Sequence, residues 1–224
     1  MVKEIIYNIT DEFEKQLGEY TGAKYVVCVD NASNGLFLCL LYNNVKDKII
    51  EIPSHTYPSV PCEIIRAGGK VKFNPSEVYL TGAYQLKPTN VFDSALRFTA
   101  NMFLPGSMMC LSFTGPYKHF KLSKGGAILT DDKKAYEWFR RARYSGRREL
   151  PYHQDHLDQI GVNCYMMPEL AARGLLLMKQ FYTLKGEKKH NEDISISYPD
   201  LSKFPIYTEN LTERERWGLD RELI

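Results

Sequence analysis

Of the 224 residues, 44% are hydrophobic and 25% charged, and 29 basic against 27 acidic side chains leave a net charge of +2. That balance is the one expected of a globular chain with a sizeable core, and it excludes a strongly basic nucleic-acid coat or a polyanionic tail. The longest apolar run, residues 36–42, is far short of the roughly 20 residues a membrane-crossing helix needs. The start, MVKEIIYNITDEFEKQ, meets acidic residues before any signal-like apolar stretch, so a cytoplasmic protein without a targeting segment or membrane contact is expected. The five cysteines, Cys28, Cys39, Cys62, Cys110 and Cys164, stand singly, with no CxxC pair to suggest zinc, and read as buried reduced thiols.

In chain order, Thr10 is placed to cap a helix whose first turn carries Asp11 and Glu12, with Phe13, Leu17 and Tyr20 on one face and Gly22 as its stop. Residues 24–29 form a continuous β-branched run of the kind buried on both faces of a parallel sheet. A polar turn, residues 30–35, leads into an apolar helix over 36–42. Strands are predicted at 48–52, 71–73, 90–92, 108–113 and 126–130, and helices at 59–67, from 133 to about 144, and at 168–181. Residues 149–161 read as a polar loop. Strands interleaved with helices predict an α/β fold with a mainly parallel sheet. Beyond Lys185 the chain is charged and without period, which predicts a main domain over 1–185 and an appendage over 186–224.

Three places carry chemistry. The turn Asp30-Asn-Ala-Ser-Asn-Gly35 joins a buried strand to a helix, so its amides and the helix dipole favour an anion, with Ser33 and Asn34 as further donors. In Val91-Phe-Asp93 a carboxylate stands at the carboxyl end of a predicted strand, where open α/β sheets place ligands; capping the next turn is the plainer role for it. The segment from Cys110 to Thr130 holds a strand, a loop with Lys118, Lys121 and Lys124, and a Gly-Gly pair before the next strand. A lysine desolvated in such a crevice loses enough basicity to act as a nucleophile, and chemistry alone leaves all three open.

Taken together these residues resemble the DegT/DnrJ/EryC1/StrS sugar aminotransferases. The stretch Phe13-Glu-Lys-Gln-Leu-Gly-Glu-Tyr-Thr-Gly-Ala-Lys-Tyr25 is similar to the family's first helix and strand, and Asn31-Ala-Ser-Asn-Gly-Leu36 to its phosphate loop. Pro53-Ser-His-Thr-Tyr57 resembles the segment that lays an aromatic ring over the cofactor, and Asn90-Val-Phe-Asp-Ser-Ala95 the segment whose aspartate pairs with the pyridine nitrogen. Ser112-Phe113 and Lys118, followed by Gly125-Gly126, resemble the Schiff-base segment, and Asp158-Gln-Ile-Gly-Val-Asn163 begins the family's later motif. The resemblance runs in one order from about residue 11 to residue 181. It implies the three-layer α/β/α large domain of fold type I, of the aspartate-aminotransferase kind, with pyridoxal 5'-phosphate as cofactor and a homodimer sharing its active sites. It implies Lys118 and Asp93 as catalytic residues, and Ser33, Asn34, Tyr57, Asp93, Ser112, Lys118 and, across the dimer, Asn163 as cofactor contacts. The implied reaction moves an amino group, from glutamate, to a keto group of a nucleotide-linked sugar; sugar dehydration, or a non-catalytic binding subunit, are the alternatives.

The chain also departs from the family. It is much shorter between Lys70 and Asn90, Leu96 stands where Gln or His is usual, Lys124 replaces an acidic residue, and most of the small C-terminal domain is missing. Arg140, Arg141, Arg143, Arg147 and Arg148 read as a solvated helix face, with nucleotide phosphates as an alternative partner. His153-Gln-Asp-His156 has metal-ligand spacing only if helical, and the stretch reads as loop. Met166, Met167 and Met178 are expected as core or interface filler.

Overall fold

The computed structural model describes residues 2–76, 82–115, 118, 120–183, 198–208 and 210–219. In chain order these form α1 (Val2–Thr21), β1 (Tyr25–Val29), α2 (Ala32–Tyr42), β2 (Ile49–Pro53), α3 (Ser59–Arg66), β3 (Lys70–Asn74), β4 (Tyr84–Gln85), β5 (Val91–Asp93), β6 (Met108–Ser112), β7 (Gly126–Thr130), α4 (Lys133–Ala142), α5 (Pro168–Thr183) and a short α6 (Glu213–Arg216). A five-stranded sheet has the order β1-β7-β6-β5-β4, and β2 and β3 pair beside it in parallel. Reciprocal backbone bonds of 2.8 and 3.0 Å between Glu51 and Lys87 join the two.

Five strands, β1, β2, β3, β5 and β6, run one way; β7, between β1 and β6, and β4 run the other. The expected parallel set is therefore present, with two reversed strands that sequence alone does not single out. The period-2 rule divides the core cleanly. Val27, Val29, Met108, Cys110 and Ile128 pack with α2, α3 and α4 on one face. Val26, Cys28, Met109, Leu111, Ala127 and Leu129 pack with α1 and α5 on the other. A sheet covered on both faces must be apolar on both, which explains the unbroken hydrophobic runs of β1, β6 and β7.

Two expectations are corrected. Thr10 does not cap α1: the helix begins at Val2 and Thr10 is buried inside it, because no glycine or proline interrupts the chain upstream. The arginine cluster is a solvated face only in part. The Arg143 side chain is 4% exposed, bonded to Glu14 and, at 2.7 Å, to the Cys28 carbonyl; Arg140 pairs with Asp11 and Glu149. Of the three methionines expected as core or interface filler, Met166 and Met178 are core and Met167 is 57% exposed. All five cysteines are free, and all but Cys62 are buried.

The boundary expected at 185/186 lies outside the described residues. Beyond it, residues 198–208 return to the body: the Leu201 amide donates to the Ser54 carbonyl at 2.8 Å, and the Leu201 side chain is buried. Among the described residues no helix is long and apolar enough to cross a membrane, and no group of three or more His, Cys, Asp or Glu could hold a metal ion.

Candidate active site

The carboxyl ends of β1, β2, β5 and β6 open on one cavity of about 430 Å³, and each strand delivers one part of it. After β1, Asn31 caps α2 by accepting the Asn34 amide at 2.8 Å, and Asn31, Ala32 and Ser33 at this helix N-terminus line the cavity. Ser33 lines it, its hydroxyl 2.8 Å from that of Ser59. Gly126 makes this approach possible: a Cβ there would stand 2.7 Å from the Ala32 nitrogen. The Cys164 carbonyl, accepting the Asp30 amide at 2.8 Å, braces the turn from behind.

After β2, Tyr57 is 56% exposed at the cavity mouth, its ring edge-to-face with Tyr198 at 6.2 Å. Asp93, the last residue of β5, is 5% exposed. Its Oδ1 accepts the Ala95 amide at 2.9 Å and its Oδ2 the Tyr84 hydroxyl at 3.1 Å. Burial pushes its carboxyl above the usual aspartate range, against the pull of the Ala95 amide, the Lys118 ammonium and the Tyr84 hydroxyl. Ser112, the last residue of β6, lines the floor; its hydroxyl accepts the Thr114 amide at 3.4 Å. Lys118 is half-buried, its Nζ donating to the Ala95 carbonyl at 2.5 Å. Burial lowers its ammonium pKa, with Asp93 opposing.

Of the residues singled out by sequence, Ser33, Tyr57, Asp93, Ser112 and Lys118 line this cavity, and Leu96 forms part of its apolar wall. Asn34 is turned aside: its amide donates to Asp30 at 2.9 Å and accepts from Arg66 at 3.1 Å. Asn163 is exposed, in a backbone bridge with Tyr144, outside this chain's cavity. Three site residues escaped the sequence reading. Tyr84 and Tyr198 line the cavity, and Thr56 bonds Tyr84 at 2.5 Å. Burial, then the nearby charge of Asp93, pushes the Tyr198 hydroxyl up to about 12. Only the aromatic character of Tyr84 and Tyr198 signals them in the sequence, since both belong to segments without clear periodicity.

The donor set suits a flat, anionic, basic-nitrogen ligand. A buried carboxylate, a half-buried amine, a helix N-terminus and several hydroxyls share its lining, and Leu36, Val60 and Leu96 supply apolar surface. The sequence model of the DegT/DnrJ/EryC1/StrS aminotransferase family matches residues 4–79 and 104–210. The fold is similar to AtS13 of Actinomadura melliaura (TM-score 0.67, 17% identity, 78% of this chain and 60% of that one). It is similar also to DesV of S. venezuelae, solved with a ketimine intermediate (0.64, 19%, 78% and 57%). A further likeness is to PseC of Helicobacter pylori, an aminotransferase involved in the biosynthesis of pseudoaminic acid (0.63, 16%, 78% and 58%). The chain thus spans less than two thirds of the length of these structures. No curated protein matches it.

Proposed function

Because this chain belongs to the DegT/DnrJ/EryC1/StrS aminotransferase family, we propose that it binds pyridoxal 5'-phosphate and transfers an amino group from glutamate to a keto group of a nucleotide-linked sugar. The observation that carries the reading is the meeting of Lys118 and Asp93 in one cavity with the Ser33 turn and Ser112. The cofactor would supply the electron sink that amino-group transfer needs.

The residues divide the work by position. The α2 amides, Ser33 and Ser112 bind the phosphate, where a helix N-terminus favours negative charge. Asp93 accepts the hydrogen bond of the ring nitrogen and keeps its proton in place. Lys118, lining the cavity, would hold the cofactor through its amine and would then take and return a proton at the substrate carbon. Tyr57 covers the ring at the mouth, and Tyr198 beside it narrows the access of water.

The reading includes a homodimer in which the partner's Asn163 completes the phosphate site. Exposed Tyr152, Leu157, Ile160, Tyr165 and Met167 on and around the 152–167 segment support it, since grouped apolar side chains mark association surfaces. It also places the protein in the cytoplasm, where five free thiols persist reduced. The test is 2-oxoglutarate release from glutamate with a panel of nucleoside-diphosphate ketosugars, alongside light scattering for the dimer. Turnover by the wild type and none by Lys118→Ala is expected. Retained cofactor without turnover of any ketosugar would refute amino transfer to a nucleotide-linked sugar.

A further inference from the structure

β4 lies in the stretch between Lys70 and Asn90 where the chain is short, and its antiparallel pairing with β5 sets Tyr84 directly opposite Asp93. Paired residues on antiparallel strands project to the same face, so the phenol lies along the carboxylate. The Tyr84 hydroxyl is 3.1 Å from Asp93 Oδ2 and 2.5 Å from Thr56 Oγ1, and all three side chains are buried. An ionised carboxylate only accepts, and a phenol has a single proton. The proton of Tyr84 therefore goes to Asp93, and that of Thr56 to Tyr84. Thr56 is fixed in turn by its neighbours: the Ser54 carbonyl accepts the Leu201 amide, and His55 Nδ1 lies 2.8 Å from the Tyr198 carbonyl.

We infer that Thr56 and Tyr84 form a buried hydroxyl chain that holds Asp93 ionised and correctly oriented, making Tyr84 a positioning residue for the ring nitrogen of the cofactor. The inference rests on the proposed function. With Ala95 on Oδ1 and Tyr84 on Oδ2, both carboxylate oxygens are oriented before any ligand arrives. Among the described residues, Lys118, Tyr198 and Cys110 are the other titratable groups near the carboxylate.

The experiment compares affinity for pyridoxal phosphate and for its 1-deaza analogue, which lacks the ring nitrogen, in wild type, Tyr84→Phe, Thr56→Val and Thr56→Ser. Wild type should prefer the nitrogen-bearing ligand. Tyr84→Phe should cut that preference about tenfold, the worth of one hydrogen bond to a charged group, and leave analogue affinity alone. Thr56→Val should move the ratio the same way and Thr56→Ser should retain it, a pair that serves even if Tyr84→Phe folds poorly. An unchanged ratio in both Tyr84→Phe and Thr56→Val would overturn the inference, as would a wild type with no preference. Failure of wild type to bind either ligand would instead strike the proposed function. The hydroxyl chain is then read in the ligand-free protein from the carbon-13 resonance of the Asp93 carboxyl, whose titration midpoint must rise in Tyr84→Phe; no rise refutes it.

Discussion

Replacing Glu14 with Gln tests how the Ser33 turn is supported. Glu14 Oε1 accepts the Cys28 amide at 2.7 Å and bonds Arg143, whose guanidinium also donates to the Cys28 carbonyl at 2.7 Å. One ion pair thus clamps the backbone of Cys28, two residues before the turn that begins at Asp30. Both side chains are almost fully buried, at 6% and 4% exposure. Removing one member of a buried pair leaves the other desolvated, at roughly 3–5 kcal/mol. Glu149, 3.4 Å from Arg143, compensates in part and sets the loss near the lower bound, about 3 kcal/mol. In a chain of this length that lowers Tm by about 6–12 °C. The assay is calorimetry of the ligand-free protein, with cofactor affinity alongside, which should weaken as the turn loosens. A Tm within 2 °C of wild type would refute the reasoning, because that is what a solvated arginine face would give.

Other perturbations separate stability from binding. Asp93 has a folded pKa raised chiefly by burial, so its contribution is fully present below the unfolded pKa and is lost as pH rises through the folded one. Ligand-free Asp93→Asn should therefore gain stability relative to wild type as pH rises above about 4, while losing cofactor affinity; an identical pH dependence of Tm in the two proteins would contradict this. Gly126→Ala places a methyl 2.7 Å from the Ala32 nitrogen and the Leu111 oxygen, and should cost about 1–3 kcal/mol in urea unfolding as well as cofactor affinity. Tyr57→Ala, at an exposed position, should leave Tm unchanged and weaken cofactor binding about two- to tenfold; a large Tm drop would give Tyr57 a structural role instead.

Much of this architecture is legible in the sequence because local pattern and burial agree. β7 is found at residues 126–130, its run being apolar on both sides, and α3 differs from its expected span only at the last residue. The turn after β1 and the carboxyl end of β5 could be read as ligand-facing, which put Ser33 and Asp93 forward, whereas Ser112 came only from the resemblance to the family. What escaped depends on distant partners or very short elements. β4 is two residues long, too short for any period, so Tyr84 carried no signal of its role. The arginines of α4 show a polar helix face, but Arg143 is buried because Glu14, 129 residues away, neutralises it. Tyr198 reaches the cavity only because the chain returns through Leu201 to Ser54, a contact with no local imprint. The side chain of Asn34 turns away from the cavity because Asp30 and Arg66 offer stronger partners than the space in front of it.

The central claim is that Lys118 is the reactive amine of this cavity. Its most direct test is borohydride reduction of the protein incubated with pyridoxal phosphate, followed by peptide mapping, in wild type and Lys118→Ala. The account predicts a visible absorbance band that borohydride removes, with the pyridoxyl group fixed on the peptide containing Lys118 and absent from the variant. Label on Lys121 or Lys124, or no stable label at saturating cofactor, would contradict it.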